Sequence, residues 1–120
     1  MALKGLDHVT VNCADLDRSR AFYSEALGMT DGERPPFPFP GAWLYLGGWP
    51  VVHLVGGGDT AGASGSFDHV AFAAEDFDAV RDRLRARGVD FKENHFPAAK
   101  IRQLFFPDPD GVKIELNFRD

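Results

Sequence analysis

The chain has 120 residues, 44% hydrophobic and 26% charged, the size and make-up of one folded domain, which excludes disorder and a fibrous role. Its formal charge of −5, with 18 acidic and 13 basic side chains scattered along the chain, argues against a nucleic-acid partner. No apolar run approaches the roughly 18 residues of a membrane span, Met1 to Lys4 is too short for a signal peptide, and the single cysteine excludes an internal disulfide, so a cytoplasmic address is expected.

Gly5 to Cys13 alternates, with Val9 and Val11 on one face and His8, Thr10 and Asn12 on the other, the period of a half-buried strand. Cys13 is expected as a small buried apolar residue. Asp15 then caps a helix from about Leu16 to Leu27, with Ala21, Phe22, Ala26 and Leu27 as its apolar stripe and Gly28 ending it. Three strands follow, at about Met29 to Arg34, Ala42 to Leu46 and Val51 to Val55. The loop Pro35-Pro36-Phe37-Pro38-Phe39-Pro40 between the first two offers an apolar rim near Trp43, Tyr45 and Trp49. Residues 57–65 have the glycine-rich composition of a flexible linker and lack a phosphate-loop signature.

Beyond the linker the plan repeats. Leu6-Asp7-His8-Val9-Thr10-Val11 returns as Phe67-Asp68-His69-Val70-Ala71-Phe72, a shift of 61 residues (69 − 8), and Asp15-Leu16-Asp17 returns at the same shift as Asp76-Phe77-Asp78. The second helix, about Phe77 to Arg87, has Val80 and Leu84 on its stripe and Arg81, Arg83, Arg85 and Arg87 on a solvated, partly ion-paired face, with Gly88 after it. Strands at about Asp90 to Phe96, Ile101 to Phe106 and Gly111 to Phe118 complete it, and Pro107 to Gly111 reads as a structural turn. The fold class is therefore α+β: two βαβββ modules, 1–56 and 66–120, in one domain spanning 1–120.

A strand packs its apolar face under its helix, so the opposite face of each module is left to line a concavity. His8 and His69 lie on that face, and so does Glu115, because Val112, Ile114, Leu116 and Phe118 take the core side of the last strand and send Lys113, Glu115 and Asn117 the other way. The last strand of the first module puts His53 in the place of Glu115, at a shift of 62 (115 − 53), one more than for the first strands, which fits an insertion in the long loop between them. Four residues able to bind a metal thus occupy equivalent positions about a pseudo-twofold axis. One histidine on a strand is ordinarily a hydrogen-bonded structural residue; the repeat is what turns these into a candidate site.

Leu6-Asp7-His8-Val9, Asp15-Leu16-Asp17-Arg18-Ser19 with Phe22-Tyr23, Leu27-Gly28-Met29, Phe67-Asp68-His69-Val70, and Phe106-Pro107-Asp108-Pro109-Asp110-Gly111 followed by Ile114-Glu115-Leu116 stand in an order and spacing that resemble the vicinal oxygen chelate superfamily of glyoxalase I, bleomycin-resistance proteins and extradiol dioxygenases. The resemblance covers nearly the whole chain. It implies a curved half-barrel around a central site, where a divalent ion (Ni, Co, Zn, Fe or Mn) is bound by His8, His69 and Glu115 and a small-molecule substrate presents two vicinal oxygens. His53 departs from the Glu or Gln usual at its position in the lyases and epimerases, and is either a fourth ligand or a non-coordinating pocket residue. Three histidines and a carboxylate suit several divalent ions, whereas two histidines and a carboxylate form the triad of Fe(II) oxygenases.

The activity implied first is a glyoxalase I-like lyase or isomerase reaction through a metal-stabilised enediolate, with Glu115 or His95 as the base. An Fe(II) ring-cleaving dioxygenase of the extradiol type is the alternative enzyme, and a metal-free drug-sequestering protein of the bleomycin-resistance type is the alternative of another class. Lys100 and Arg102 are candidates to hold a substrate carboxylate, with Trp43 and Tyr45 as further substrate contacts. Such proteins often form dimers, so a homodimer is expected, with the site either within one chain or shared between two.

Overall fold

The computed structural model describes residues 5–57, 67 and 69–119. Most of the glycine-rich linker, residues 58–65, and Asp68 of the repeated segment lie outside the described residues. The chain divides into two compact units, Met1–Ala61 and Gly62–Asp120.

The first unit holds β1 (Val9–Cys13), α1 (Leu16–Ala21), which runs into a π-helical turn (Phe22–Ala26), β2 (Thr30–Gly32), β3 (Gly41–Leu46) and β4 (Trp49–Gly56). The second holds β5 (Val70–Ala74), α2 (Phe77–Ala86), β6 (Lys92–Phe96), a 3₁₀ turn (Pro97–Ala99), β7 (Ile101–Pro107) and β8 (Lys113–Arg119). The sheets have one topology, β1-β4-β3-β2 and β5-β8-β7-β6, with the first and last strands of each unit parallel and the other neighbours antiparallel. This is the βαβββ plan twice over.

Strand phase behaves as the alternation requires. Val11 and Cys13 of β1, Ala42 and Leu44 of β3, and Val52 and Leu54 of β4 are buried together, as are Leu104 and Phe106 of β7 with Ile114, Leu116 and Phe118 of β8. Phe77, at the start of α2, meets Phe118 edge to face with ring centroids 5.1 Å apart, which fixes the buried side of the second sheet as the side under its helix.

The helices differ from each other. Asp15 caps α1 by accepting a hydrogen bond from the Arg18 backbone N–H, whereas Asp76 caps α2 without a side-chain bond and stands in the left-handed region. Gly28 and Gly88 both take a φ of 72°, the conformation that ends a helix at no steric cost when no Cβ is present. On α2 Leu84 of the expected stripe is buried, together with Phe77, while Val80 is half-buried. On the first helix the stripe is buried only in part: Ala26 is buried as expected, together with Ser19 and Tyr23, while Ala21 is exposed and Phe22 and Leu27 are half-buried. Ser19, Tyr23 and Ala26 are spaced i, i+4, i+7 and share one face; reading by apolar character alone passed over the serine.

The solvated arginine face is present on α2, where Arg81 pairs with Asp78 and Asp82 and lies over the Phe77 ring. No helix among the described residues is long and apolar enough to cross a membrane.

Candidate functional site

In the first unit the parallel pairing of β1 with β4 sets Thr10 against His53, and in the second the pairing of β5 with β8 sets Ala71 against Glu115. Thr10 is two residues after His8 and Ala71 two after His69, so the two registers make His53 the counterpart of Glu115, as the 62-residue shift implied. The next strand continues the match, with Trp43 beside His53 and Phe105 beside Glu115.

His8 lies just before β1. Its Nδ1 is 2.7 Å from Asp7 Oδ2. A carboxylate accepts, so Nδ1 donates in this contact, and the tautomer that does so has its lone pair on Nε2. The approach to β1 is fixed by Trp49, whose indole N–H donates to the Asp7 carbonyl at 3.0 Å. His53 stacks on His8, with centroids 3.7 Å apart and planes 12° from parallel, and on its other side stacks on Trp43 at 4.1 Å and 11°. His53 Nε2 is 3.0 Å from the Pro50 carbonyl, so here the proton sits on Nε2 and the lone pair on Nδ1. Burial between two rings, and then the neighbouring His8, push the His53 pKa below its ordinary value, outweighing the Pro50 carbonyl and Asp7, which act the other way.

The second unit holds its pair through a contact between ring and carboxylate. His69 Nε2 is 3.0 Å from Glu115 Oε1. Glu115 is 8% exposed, and its other oxygen accepts from the Gln103 amide at 3.4 Å; the same amide donates to Asn117 Oδ1 at 2.9 Å. Phe105 meets the His69 ring edge-on, and the Lys113 ammonium lies over the Phe105 ring.

Each unit therefore brings two of the four expected metal-binding residues together, and among the described residues no group of three or more His, Cys, Asp or Glu side chains gathers to hold an ion. The donor chemistry of three of the four suits a divalent ion. His8 offers a lone pair on Nε2 while a carboxylate holds Nδ1, the usual support of a metal-ligating histidine. His69 Nε2 and Glu115 Oε1 stand at 3.0 Å, a hydrogen-bond distance that equals the edge between adjacent donors of an octahedral ion with bonds of about 2.1 Å, which would take the place of the shared proton. His53 differs from them in that its Nε2 is held by a backbone carbonyl, that of Pro50, which leaves its lone pair on Nδ1.

The other expected site residues are placed as follows. Trp43 is on the His53 side of β3. Tyr45 follows an irregularity in register after Leu44, and its hydroxyl donates to the Glu33 carbonyl at 2.6 Å, which ties it to the end of β2. Lys100 is exposed, in the left-handed region after the 3₁₀ turn.

Arg102 and His95 lie on the other side of the second sheet from Glu115. Arg102 has the strand parity of Leu104 and Phe106, so it faces α2, where its guanidinium lies 5.1 Å from the centre of the Phe77 ring and its buried Nε has no hydrogen-bond partner among the described residues. His95 is directly opposite Arg102 on β6 and shares that side of the sheet, away from Gln103 and Glu115. Neither residue is brought to Glu115. Asp7 and Gln103 were not singled out in the sequence; the parity of Gln103 with Phe105, opposite Asn117 in register, was the signal available.

Residues 5–116 match the family model for the Glyoxalase/Bleomycin resistance protein/Dioxygenase superfamily. Glyoxylase I 4 of Arabidopsis thaliana is 32% identical over 123 residues, covering 95% of this chain and 70% of that protein. Glutathione transferase FosA of Serratia marcescens is 34% identical over 120 residues, covering 96% and 81%. Among solved structures, a glyoxylase/bleomycin resistance protein/dioxygenase domain from Frankia sp. EAN1pec superposes with a TM-score of 0.82 at 26% identity, covering 99% of this chain and 94% of that one.

Proposed function

The chain belongs to the Glyoxalase/Bleomycin resistance protein/Dioxygenase superfamily, and from that premise we propose that it is a divalent-metal-dependent enzyme acting on a small substrate with two neighbouring oxygens, in a lyase or isomerase reaction. The observation that carries this reading is the His69–Glu115 pair, two donors 3.0 Å apart on the first and last strands of a unit, whose counterpart in the other unit presents His8 with its Nε2 lone pair outward from the Asp7 contact. His8, His69 and Glu115 would hold the ion. The relatives named as glyoxylase and FosA support an enzyme rather than a structural module.

Bound there, a divalent ion supplies Lewis-acid polarisation of the two oxygens and offsets negative charge that develops on them. The chain's own residues do the rest. Asp7 fixes the His8 tautomer, and Gln103, anchored on Asn117, holds the second Glu115 oxygen. Glu115 is then the carboxylate placed to accept a proton from the substrate carbon beside the oxygens. His95 is not needed in that role, since it lies on the other side of its sheet.

A second reading, an Fe(II) ring-cleaving dioxygenase, draws on one observation. Pro50 occupies His53 Nε2, and with His53 held there the ligand set would be two histidines and one carboxylate.

The test is calorimetric titration of the chelator-treated protein with MnCl2, NiCl2, ZnCl2 and, without oxygen, FeSO4, followed by assay of the loaded protein on a hemithioacetal and on catechol. Stoichiometric binding that His8→Ala abolishes, with hemithioacetal turnover, is expected. Oxygen uptake with catechol under Fe(II) would move the assignment to the dioxygenase. No metal binding at all would overturn both enzyme readings in favour of metal-free ligand sequestration.

A further inference from the structure

The first unit carries an array of stacked rings along β3, β4 and the loop before them. Phe37 and Phe39 are 41% and 43% exposed, yet their rings are ordered against each other, with centroids 5.3 Å apart and planes 11° from parallel. Phe37 lies 6.3 Å from Trp43, which stacks on His53, which stacks on His8. Five rings thus run from an exposed loop to the candidate metal ligand. The stretch Pro35-Pro36-Phe37-Pro38-Phe39-Pro40 alternates proline with phenylalanine after its first residue, so the backbone φ is set at Pro36, Pro38 and Pro40 and little conformational entropy is lost when a ligand meets the rings.

A cation stands beside this platform. The Arg34 guanidinium is 5.1 Å from the Phe37 centroid and 5.0 Å from the Phe39 centroid, and its Nη2 donates to the Phe39 carbonyl at 2.9 Å. Among the described residues it has no carboxylate partner. Two exposed parallel rings select a flat, π-rich ligand by stacking, and an unneutralised guanidinium selects an anionic group on it through charge-assisted hydrogen bonds.

We propose that Phe37, Phe39 and Arg34 form a recognition site for a planar aromatic ligand bearing a carboxylate or similar anionic group, whose ring lies on the loop and whose remainder extends along Trp43 toward His8. This names a substrate class for the function proposed above and rests on that reading only for what happens at His8. Binding on the loop is independent of any metal.

The probe is 2-naphthoate, titrated by calorimetry into the full chain with and without MnCl2, alongside cyclohexanecarboxylate and 2-naphthol. Naphthoate should bind about tenfold or more tightly than cyclohexanecarboxylate, which has the charge without the flat ring. Phe37→Ala with Phe39→Ala should weaken naphthoate about tenfold. Arg34→Gln should weaken naphthoate and leave naphthol within about twofold, and Arg34→Lys should recover part of the loss. Phe96→Ala, an exposed aromatic of the second unit, is the control expected to bind as the unaltered chain does. Circular dichroism verifies that each variant is folded.

Equal affinity for naphthoate and cyclohexanecarboxylate, or a folded Phe37/Phe39 variant that binds naphthoate normally, would overturn the proposal. If MnCl2 binds and naphthoate does not discriminate, only this inference falls. If naphthoate binds as expected and no metal does, the enzyme reading falls and the aromatic site stands.

Discussion

Two sheets of identical strand order, paired in the same register, hold their equivalent site residues by opposite means. In the first unit His8 and His53 meet face to face, with Trp43 closing the stack; in the second, His69 and Glu115 meet through a hydrogen bond between ring and carboxylate, with Gln103 and Asn117 behind it. The backbone fixes where the side chains stand. The residue at one position of the last strand then decides whether the pair meets as stacked rings or as a ring against a carboxylate. The stacked pair keeps one imidazole nitrogen against Asp7 and another against Pro50, whereas the His69–Glu115 pair sets two donor atoms side by side, so the two units are unequal in what each offers a divalent ion.

That inequality predicts the largest effect. Glu115→Ala removes a donor and leaves His69 Nε2 without its carboxylate, so metal affinity measured by calorimetry should fall by more than about a hundredfold, beyond the ten- to hundredfold typical of losing a supporting contact. His53→Ala should cost much less. If the two variants lose affinity equally, the units are equivalent and His53 is a ligand after all.

Gln103→Ala sits one step lower. It releases the second Glu115 oxygen and the Asn117 side chain without touching a donor, and about a tenfold loss of metal affinity is expected, with folding stability nearly unchanged. Gln103→Glu at neutral pH should be worse, because it places a second carboxylate against Glu115. An unchanged affinity in both variants would show that Glu115 needs no support from β7.

Much of this was legible in the sequence, and what was not has identifiable causes. The repeated Asp-His-Val segments and the alternation of Ile114, Leu116 and Phe118 were enough to set the fold and the side of β8 that Glu115 occupies, because a period of two leaves one choice once the apolar face is known. The same parity rule applied to β7 separates Arg102 from Gln103, but charge drew attention to the arginine while the uncharged amide carried no motif. The buried face of α1 was hidden because it includes Ser19, whose burial no hydrophobic pattern signals. Stacking of His53 between His8 and Trp43 depends on side-chain rotation, which strand spacing does not specify.

Stacking itself is testable by comparison. Trp43→Leu keeps apolar bulk but removes the ring that covers His53, and should lower unfolding free energy in urea by about 1 kcal/mol beyond the area lost. Phe105→Leu, at the matching position of the second unit, touches the His69 ring only edge-on and should cost less. A reversed order would mean that the ring stack adds nothing to the first unit.

The smallest effect follows from the protonation of His53. Its folded pKa is lowered, chiefly by burial and then by His8, whereas in the unfolded chain it returns to the ordinary histidine value of about 6.5. As pH falls below that value the unfolded chain takes the proton first, so the folded state loses stability through the window between the ordinary and the lowered pKa; above the ordinary value both states are neutral and the contribution is constant. In chelator-treated protein, then, stability measured by urea unfolding should drop as pH is lowered through this window, and His53→Gln should flatten that part of the curve. The ring stack requires this sign, since a protonated His53 would put a positive charge against His8. A steeper drop in the glutamine variant would mean that His53 is stabilised as a cation in the folded chain.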